Sequence, residues 1–454
     1  MPGLRVRIVP ADALAEGIAQ IKREAKVPDQ FPPDVLAEAE AAAAAPPPER
    51  ERVDLDFVTI DPPGARDLDQ AMHLARFDGG YRISYAIADP AVFVKPGGAL
   101  DRDTHERGVT VYAPDGKVPL HPPVISEGVA SLLPGEWRPA VLWVLDLDAD
   151  GRLTRTEVTR KTVRSVAQHT YEDVPDTLAS LLKEIGEKRI AIERERGGVQ
   201  LSVPEQEVVQ EQDGWTIRFR PPNPYEDYNA QISLLTGMAA ADIMLKAGIG
   251  ILRTQPAPAQ ADLDRLRRTA KALGADWPQS QSYPEFIRSL DPTNPRHAAL
   301  LQEATRVGRG AAYTAFDEQH PPELTTHWAV AAHYAHATAP LRRLQDRYVS
   351  ECCLSPGDPP QWVRDGLQAL PAAMANGTRR ANGVERGVID LAEALVLQGR
   401  EGERFAGVVI DDNVVQITDP AVRGRIDGEP ELGAEVEAKL VKADPQTRMV
   451  IFAL

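Results

Sequence analysis

The chain has 454 residues, 43% hydrophobic and 26% charged, a globular composition and a length that calls for two or three domains. No apolar run approaches the roughly 20 residues of a membrane helix, and MPGLRVRIVPADALAEG lacks the apolar stretch and cleavage site of a secretory leader. A formal charge of −16 argues against a protein that coats a duplex, yet it leaves room for an enzyme whose arginines line a narrow channel.

In chain order, residues 1–50 read as a small helical module. ADALAEGIAQIKREA sets Leu14, Ile18 and Ile21 at helical spacing, KVPDQFPPD connects, and VLAEAEAAAAA is an alanine-rich second helix. Two readings stand: a helix-turn-helix-like piece, or a helical arm packed on the main domain. PPPERER (46–52) is a stiff charged linker and the first boundary. From Asp54 the pattern turns to short β-branched runs bounded by Gly, Pro and Asp, namely DLDFVTID, YRISYAIAD and AVLWVLDLDADGRL. Past Tyr171 helices dominate, with Leu178, Leu181, Leu182 and Ile185 on one face and Gly197–Gly198 as a stop. NAQISLLTGMAAADIMLKAG, ADLDRLRRTAKALG and PRHAALLQEATRVG continue the series, so residues 51–395 form one α+β domain. Residues 396–454 hold five strand-like runs (GERFAGVVID, NVVQITD, RGRID, GAEVEAKLVKAD, RMVIFAL), the rhythm of an OB-type barrel, a fold that commonly binds single-stranded nucleic acid. The adjacent Cys352 and Cys353 make no disulfide framework, which fits two buried small residues in a reducing cytoplasm.

Chemistry concentrates in TIDPPGARDLDQAMHL (59–74), where Asp61, Asp67 and Asp69 fall within nine positions. Pro62, Pro63 and Gly64 rule out a continuous helix, so the segment is a tight loop leaving the strand DFVTI. In an extended stretch Asp67 and Asp69 share one side while Leu68 turns inward. Ionised carboxylates this close repel, and a hard divalent cation relieves the conflict; a solvated acidic turn is the competing reading. There is no GxxxxGK[ST] loop and no HExxH helix. His327, His333 and His336 lie close, but on a helix turning about 100° per residue His327 and His336 face opposite ways, which disfavours zinc. In YAHATAPLRRLQDRYV (334–349), Pro340 restarts a helix and Arg342, Arg343 and Arg347 follow it, a placement suited to gripping a phosphate or to pairing with acids.

Together these segments resemble the ribonuclease II/ribonuclease R family. LDFVTIDPPGARDLDQAMHL is similar to its catalytic loop. ISYAIADPAVFV, RGVTVYAP, LHPPVISEGVASLLPGEWRPA, TYEDV, RERGGVQLSVPE and HYAHATAPLRRLQDRYV follow in the family's order from about residue 54 to 395. The resemblance implies an RNB catalytic domain, a mixed sheet with helices around an RNA channel, followed by a C-terminal OB-fold. It implies a hydrolytic exoribonuclease that removes 5′-monophosphates from the 3′ end of single-stranded RNA. The cofactor would be Mg²⁺, with Mn²⁺ as a substitute, and the protein a cytoplasmic monomer.

By the same resemblance Asp61, Asp67 and Asp69 hold metal, and Asp67 and Asp69 are catalytic, Asp69 activating the attacking water. Arg342 clamps the scissile phosphate. Tyr171 packs on the 3′-terminal nucleotide, and Tyr334, Arg343 and Gln231 join the RNA path. Three departures stand out. The family usually has a fourth aspartate where this chain has Gln70, which is expected to act as a neutral ligand and to weaken a second metal. Gln231 stands where the family often has glutamate. The N-terminus is also too short for tandem cold-shock domains. Gln70 and Gln231 motivate the alternative, a catalytically weakened RNA-binding or regulatory member.

Overall fold

The computed structural model describes residues 11–454 except Ser202, Pro204, Gln212, Asp213, Pro221 and Pro222. The first ten residues of the N-terminal module and two positions of RERGGVQLSVPE therefore lie outside the described residues.

Five strands, Arg52–Ile60, Gln70–Phe77, Gly80–Ala88, Trp137–Leu147 and Leu153–His169, form a mixed sheet that closes into a barrel. Closure depends on the last strand. Its first part pairs antiparallel with Trp137–Leu147 and its end pairs parallel with Arg52–Ile60, bringing Ile60 level with His169. At 17 residues it is long enough to serve two neighbours in succession. Gly80–Ala88 and Trp137–Leu147 are apolar on both faces because both are covered. Ile83, Tyr85, Ile87, Trp143 and Leu145 pack with Leu182, Ile185, Ile232 and Leu235 of the helices Asp176–Glu195 and Pro224–Ala247. Ala86, Ala88, Ala140 and Leu142 join Phe57, Leu68 and Leu100 in a second core.

The five C-terminal runs are five strands, Arg404–Asp411, Val414–Ile417, Val422–Asp427, Glu435–Asp444 and Met449–Ala453, in a second closed barrel. Val422–Asp427 closes it by parallel pairing with Met449–Ala453. The 28-residue helix Leu370–Leu397 ends inside this barrel's core, so a boundary at residue 395 cuts its last turn.

Among the described residues, the two N-terminal helices pack in different cores. Leu14, Ile18 and Ile21 of Ala11–Glu24 pack on Val384, Val388 and Leu391 of the long helix. Val35 and Ala39 of Pro33–Ala44 enter the other core, beside Leu100. Buried Arg107 holds the connector by donating to Pro28 O (2.6 Å) and Gln30 O (2.7 Å), with its guanidinium over the Phe31 ring. Residues 326–333 are also not helical. They form a hairpin between Thr326–His327 and Ala332–His333, turning at Ala331 (φ 54°). His333 meets Asp242, while His336 meets the Tyr313 hydroxyl. Cys352 and Cys353 are buried free thiols, and among the described residues no helix is long and apolar enough to cross a membrane.

One buried carboxyl links the long helix to the C-terminal barrel. Glu393 Oε1 accepts from Arg423 N (2.7 Å) and from Gln206 Nε2 (2.6 Å). Burial lifts its pKa from 4.5 to about 7. A folded-state pKa above the unfolded value stabilises the fold at low pH, and that contribution is lost as pH rises through about 7. Glu393→Gln keeps both acceptor contacts without the charge. It is expected to flatten the decline of stability between pH 5 and 8, and to be more stable than wild type at pH 8 by about 1–3 kcal/mol in urea unfolding. Parallel stability–pH curves would reject this role for Glu393.

Candidate active site

The carboxylate loop is held on every side. Asp61 N donates to His169 O (3.0 Å), and Gly64 at φ 80° allows the turn in which Ala65 N reaches Pro62 O (3.1 Å). Ser131 Oγ accepts from Leu68 N (2.9 Å) and donates to Arg66 O (2.6 Å). Leu68 is fully buried, as its alternation with the flanking aspartates requires, and Ala88 N fixes Asp69 O (2.9 Å).

A second loop, Thr338–Arg342, comes from 270 residues further along the chain and lies against the first. Asp346 organises it. Its carboxylate accepts from Ala339 N (2.7 Å), from Gln345, and from the Arg343 guanidinium (2.7 Å). Leu341 N then donates to Asp69 Oδ1 (2.7 Å), and Gln70 Nε2 donates to Thr338 O (2.6 Å). Two side chain–backbone bonds thus clasp the loops, leaving Arg342 Nε 3.5 Å from Asp69 Oδ2 with a side chain 46% exposed. The helix Pro224–Ala247 closes the third side. Gly237 has no Cβ where Ala335 O would be 2.4 Å away, so Tyr334 and its neighbours can sit directly on the helix.

These elements enclose a cavity of about 1100 Å³. Asp61, Asp67, Asp69, Gln70, Tyr171, Tyr334, Arg342 and Arg343 all line it, so the structure gathers residues 61–70, 171 and 334–343 into one place. Their states differ. Tyr171 faces the cavity with its hydroxyl accepting from Asn229 Nδ2 (3.0 Å). The Arg343 guanidinium is committed to Asp346, and Arg347 to buried Asp101, so of the three arginines Arg342 is the one available to a ligand. Gln231 does not reach the wall. It is buried and donates to Glu193, which does line the cavity, so the carboxylate expected on one helix arrives from the neighbouring one. Gln70 is engaged at both ends, since Oε1 accepts from Tyr85 OH (2.5 Å) while Nε2 holds Thr338 O. Asp67 is likewise engaged, by Lys117 Nζ (2.5 Å) and Tyr112 OH (3.2 Å).

Sequence reasoning missed Lys117, Glu127, Glu193 and Asn229. Lys117 sits in a short hairpin, Val111–Ala113 with Gly116–Val118, whose only signal was Tyr112 in the quoted RGVTVYAP.

Two carboxyls carry the electrostatic strain. Burial raises Asp61 to about 6 and Asp69 to about 7, with Arg342 pulling both the other way. Asp61 Oδ2 is buried with no hydrogen-bond partner. An uncompensated buried carboxylate oxygen in the same cavity as a second carboxylate offers donors to a hard divalent cation. Among the described residues no group of three His, Cys, Asp or Glu is arranged to hold an ion unaided. A cation on Asp61 and Asp69 would therefore need water or a ligand's phosphate to complete its shell, as Mg²⁺ usually does.

Two small barrels joined by a helical layer, with Asp61 and Asp69 facing Arg342 in one cavity, define the architecture. The sequence matches the RNB domain over residues 50–353 and the RNase II-type exonuclease C-terminal S1 domain over 403–454. The chain belongs to the RNB family. It is 28% identical to ribonuclease R of Escherichia coli (strain K12) over 319 residues, which is 64% of this chain and 38% of that protein. The chain thus spans well under two thirds of the length of that relative. It superposes on apo Mycoplasma genitalium RNase R with a TM-score of 0.87 at 19% identity, covering 98% of this chain and 78% of that one. The same protein in complex with ribose methylated single-stranded RNA gives 0.86 at 18%, with the same coverage. Yeast Ssd1, a pseudonuclease, shares the fold at 0.70 and 16% identity, over 90% of this chain and 55% of that one.

The raised values of Asp61 and Asp69 predict a pH-dependent cation site. In the metal-free protein both favour protonation, so stability declines as pH rises from about 4 through 7. A cation competes with those protons, so its stabilisation should grow over the same interval. Thermal-shift titration with Mg²⁺ is expected to raise Tm clearly more at pH 8 than at pH 5.5. Equal shifts at both pH values count against Asp61 and Asp69 as the ligands.

Proposed function

We propose that this chain is a Mg²⁺-dependent hydrolytic 3′→5′ exoribonuclease that acts on single-stranded RNA, releases nucleoside 5′-monophosphates and works as a cytoplasmic monomer. The observation that carries this reading is the pairing of half-buried Asp61, whose Oδ2 is enclosed, and buried Asp69 with Arg342 across the two clasped loops. The cation, when bound, supplies screening for charge growing on the scissile phosphate and makes an attacking water more acidic.

This chain's residues do the rest. Arg342, exposed and held 3.5 Å from Asp69, takes the non-bridging phosphate oxygens and places the phosphorus next to the carboxylates. Asp69 Oδ2, whose partner oxygen is fixed by Leu341 N, receives the proton of the attacking water. Tyr171 offers its ring to the terminal base and Tyr334 to a base further along the strand. T-shaped packing of Tyr334 on His327 and His336 keeps its ring fixed. The 3′→5′ direction follows from the 3′ end of the strand lying against Tyr171, which lines the cavity with the aspartates.

Shortening of a 5′-labelled oligoribonucleotide in Mg²⁺ tests the activity, with matched DNA as the control for ribose recognition. RNA is expected to shorten from its 3′ end and DNA to persist. RNA that binds but stays full-length at every metal concentration sinks the proposal and favours the binding-only alternative. Asp69→Asn is expected to lower kcat by on the order of 100-fold or more while RNA affinity stays within a few-fold. Equal loss of both would reject the role given to Asp69.

A further inference from the structure

How many cations the cavity accepts depends on how many of its oxygens are uncommitted. Among Asp61, Asp67, Asp69 and Gln70, few are. Both Asp67 oxygens are engaged, Oδ1 by the Lys117 ammonium at 2.5 Å and Oδ2 by the Tyr112 hydroxyl at 3.2 Å. Both ends of the Gln70 amide are used, the oxygen by Tyr85 OH (2.5 Å) and the nitrogen by Thr338 O (2.6 Å). The arrangement requires an amide. A carboxylate there would set an oxygen against the Thr338 carbonyl, with no hydrogen to share. What remains open is Asp61 Oδ2, without a partner, and Asp69 Oδ2, with Arg342 at 3.5 Å.

Lys117 is not a loose surface lysine. Its side chain is 20% exposed and bridges Asp67 and Glu127 Oε1 (3.0 Å), while its hairpin lines the same cavity wall as the aspartates. The hairpin is anchored next to the arginine loop, since Thr110 N donates to Arg342 O (3.0 Å) and Leu344 N to Gly108 O (3.0 Å). Paired cations that share a phosphate sit only about 3.5–4 Å apart. A second one at Asp67 would have to evict an ammonium held by two carboxylates, or lie against it at short range with like charge.

We propose that the cavity takes a single divalent cation, on Asp61 and Asp69, and that Lys117 is a built-in second positive charge, clamped by Asp67 and Glu127 and directed at the substrate's anionic phosphate. In this arrangement Asp67 positions the ammonium instead of ligating metal, and Gln70 positions the arginine loop. The cation count stands independently; the role toward phosphate rests on the exoribonuclease reading.

Mn²⁺ alone, titrated without RNA and counted by electron paramagnetic resonance, is expected to bind wild type at one ion per chain. Two ions per chain overturn the proposal. Gln70→Asp alone should still bind one ion, and adding Lys117→Met to it should admit a second; two ions on Gln70→Asp alone also overturn it. Lys117→Met is expected to lower kcat by ~10-fold or more with the RNA KM within a few-fold and the unfolding midpoint unchanged, and Lys117→Arg to retain most of kcat. Unchanged kcat in Lys117→Met overturns the role toward phosphate. If wild type cleaves no RNA at all, the exoribonuclease reading fails by itself, and the ion count still decides the cation stoichiometry.

Discussion

Everything at the centre of this molecule follows from the clasp between two loops that are 270 residues apart. Leu341 N on Asp69 and the Gln70 amide on Thr338 O are the bonds that set an arginine against buried carboxylates. Neither loop could hold that geometry alone. One is braced by Ser131, His169 and Ala88, the other by Asp346. The barrel, the glycine-relieved helix and the long helix are the frame that brings two braced loops to within hydrogen-bonding distance. Taking carboxyl oxygens of Asp61 and Asp69 out of water is costly, and under the proposed function a cation and a phosphate would offset that cost.

The charge balance of the site is more specific than its list of aspartates. The neutral amide at position 70 and the ammonium at position 117 both move the cavity toward neutrality. Each has complementary partners: the Gln70 oxygen meets a donor and its nitrogen an acceptor, and Lys117 meets Asp67 and Glu127.

Much of this was legible in the sequence. Short β-branched runs between turn residues marked three of the first barrel's strands, and five strand-like runs between turn residues marked the C-terminal ones. The Pro-Pro-Gly break fixed the loop, and Leu68 between two aspartates foretold its burial. What escaped had physical causes. The strand Leu153–His169 is rich in Arg, Thr and Lys because much of it is only half-buried, so it carries little periodic signal. The N-terminal helices are amphipathic, but period alone does not say which core each enters. The histidine stretch was read against a helix, and the structure makes it a hairpin. Lys117 and Glu193 join the cavity through tertiary contact alone, with nothing local to mark them. Arg343 and Gln231 illustrate the reverse, residue types suited to RNA that the fold spends on Asp346 and Glu193.

The helix Leu370–Leu397 gives the molecule a mechanical character. Its start packs in the core that holds the Pro224–Ala247 helix, its middle carries the N-terminal helix, and its last turn fills the C-terminal barrel. A strut embedded at both ends transmits displacement instead of absorbing it. The two barrels therefore behave as a single lever arm rather than as beads on a tether. A pull on the C-terminal barrel would be felt at the far end of the helix, beside Gly108 and the arginine loop it anchors.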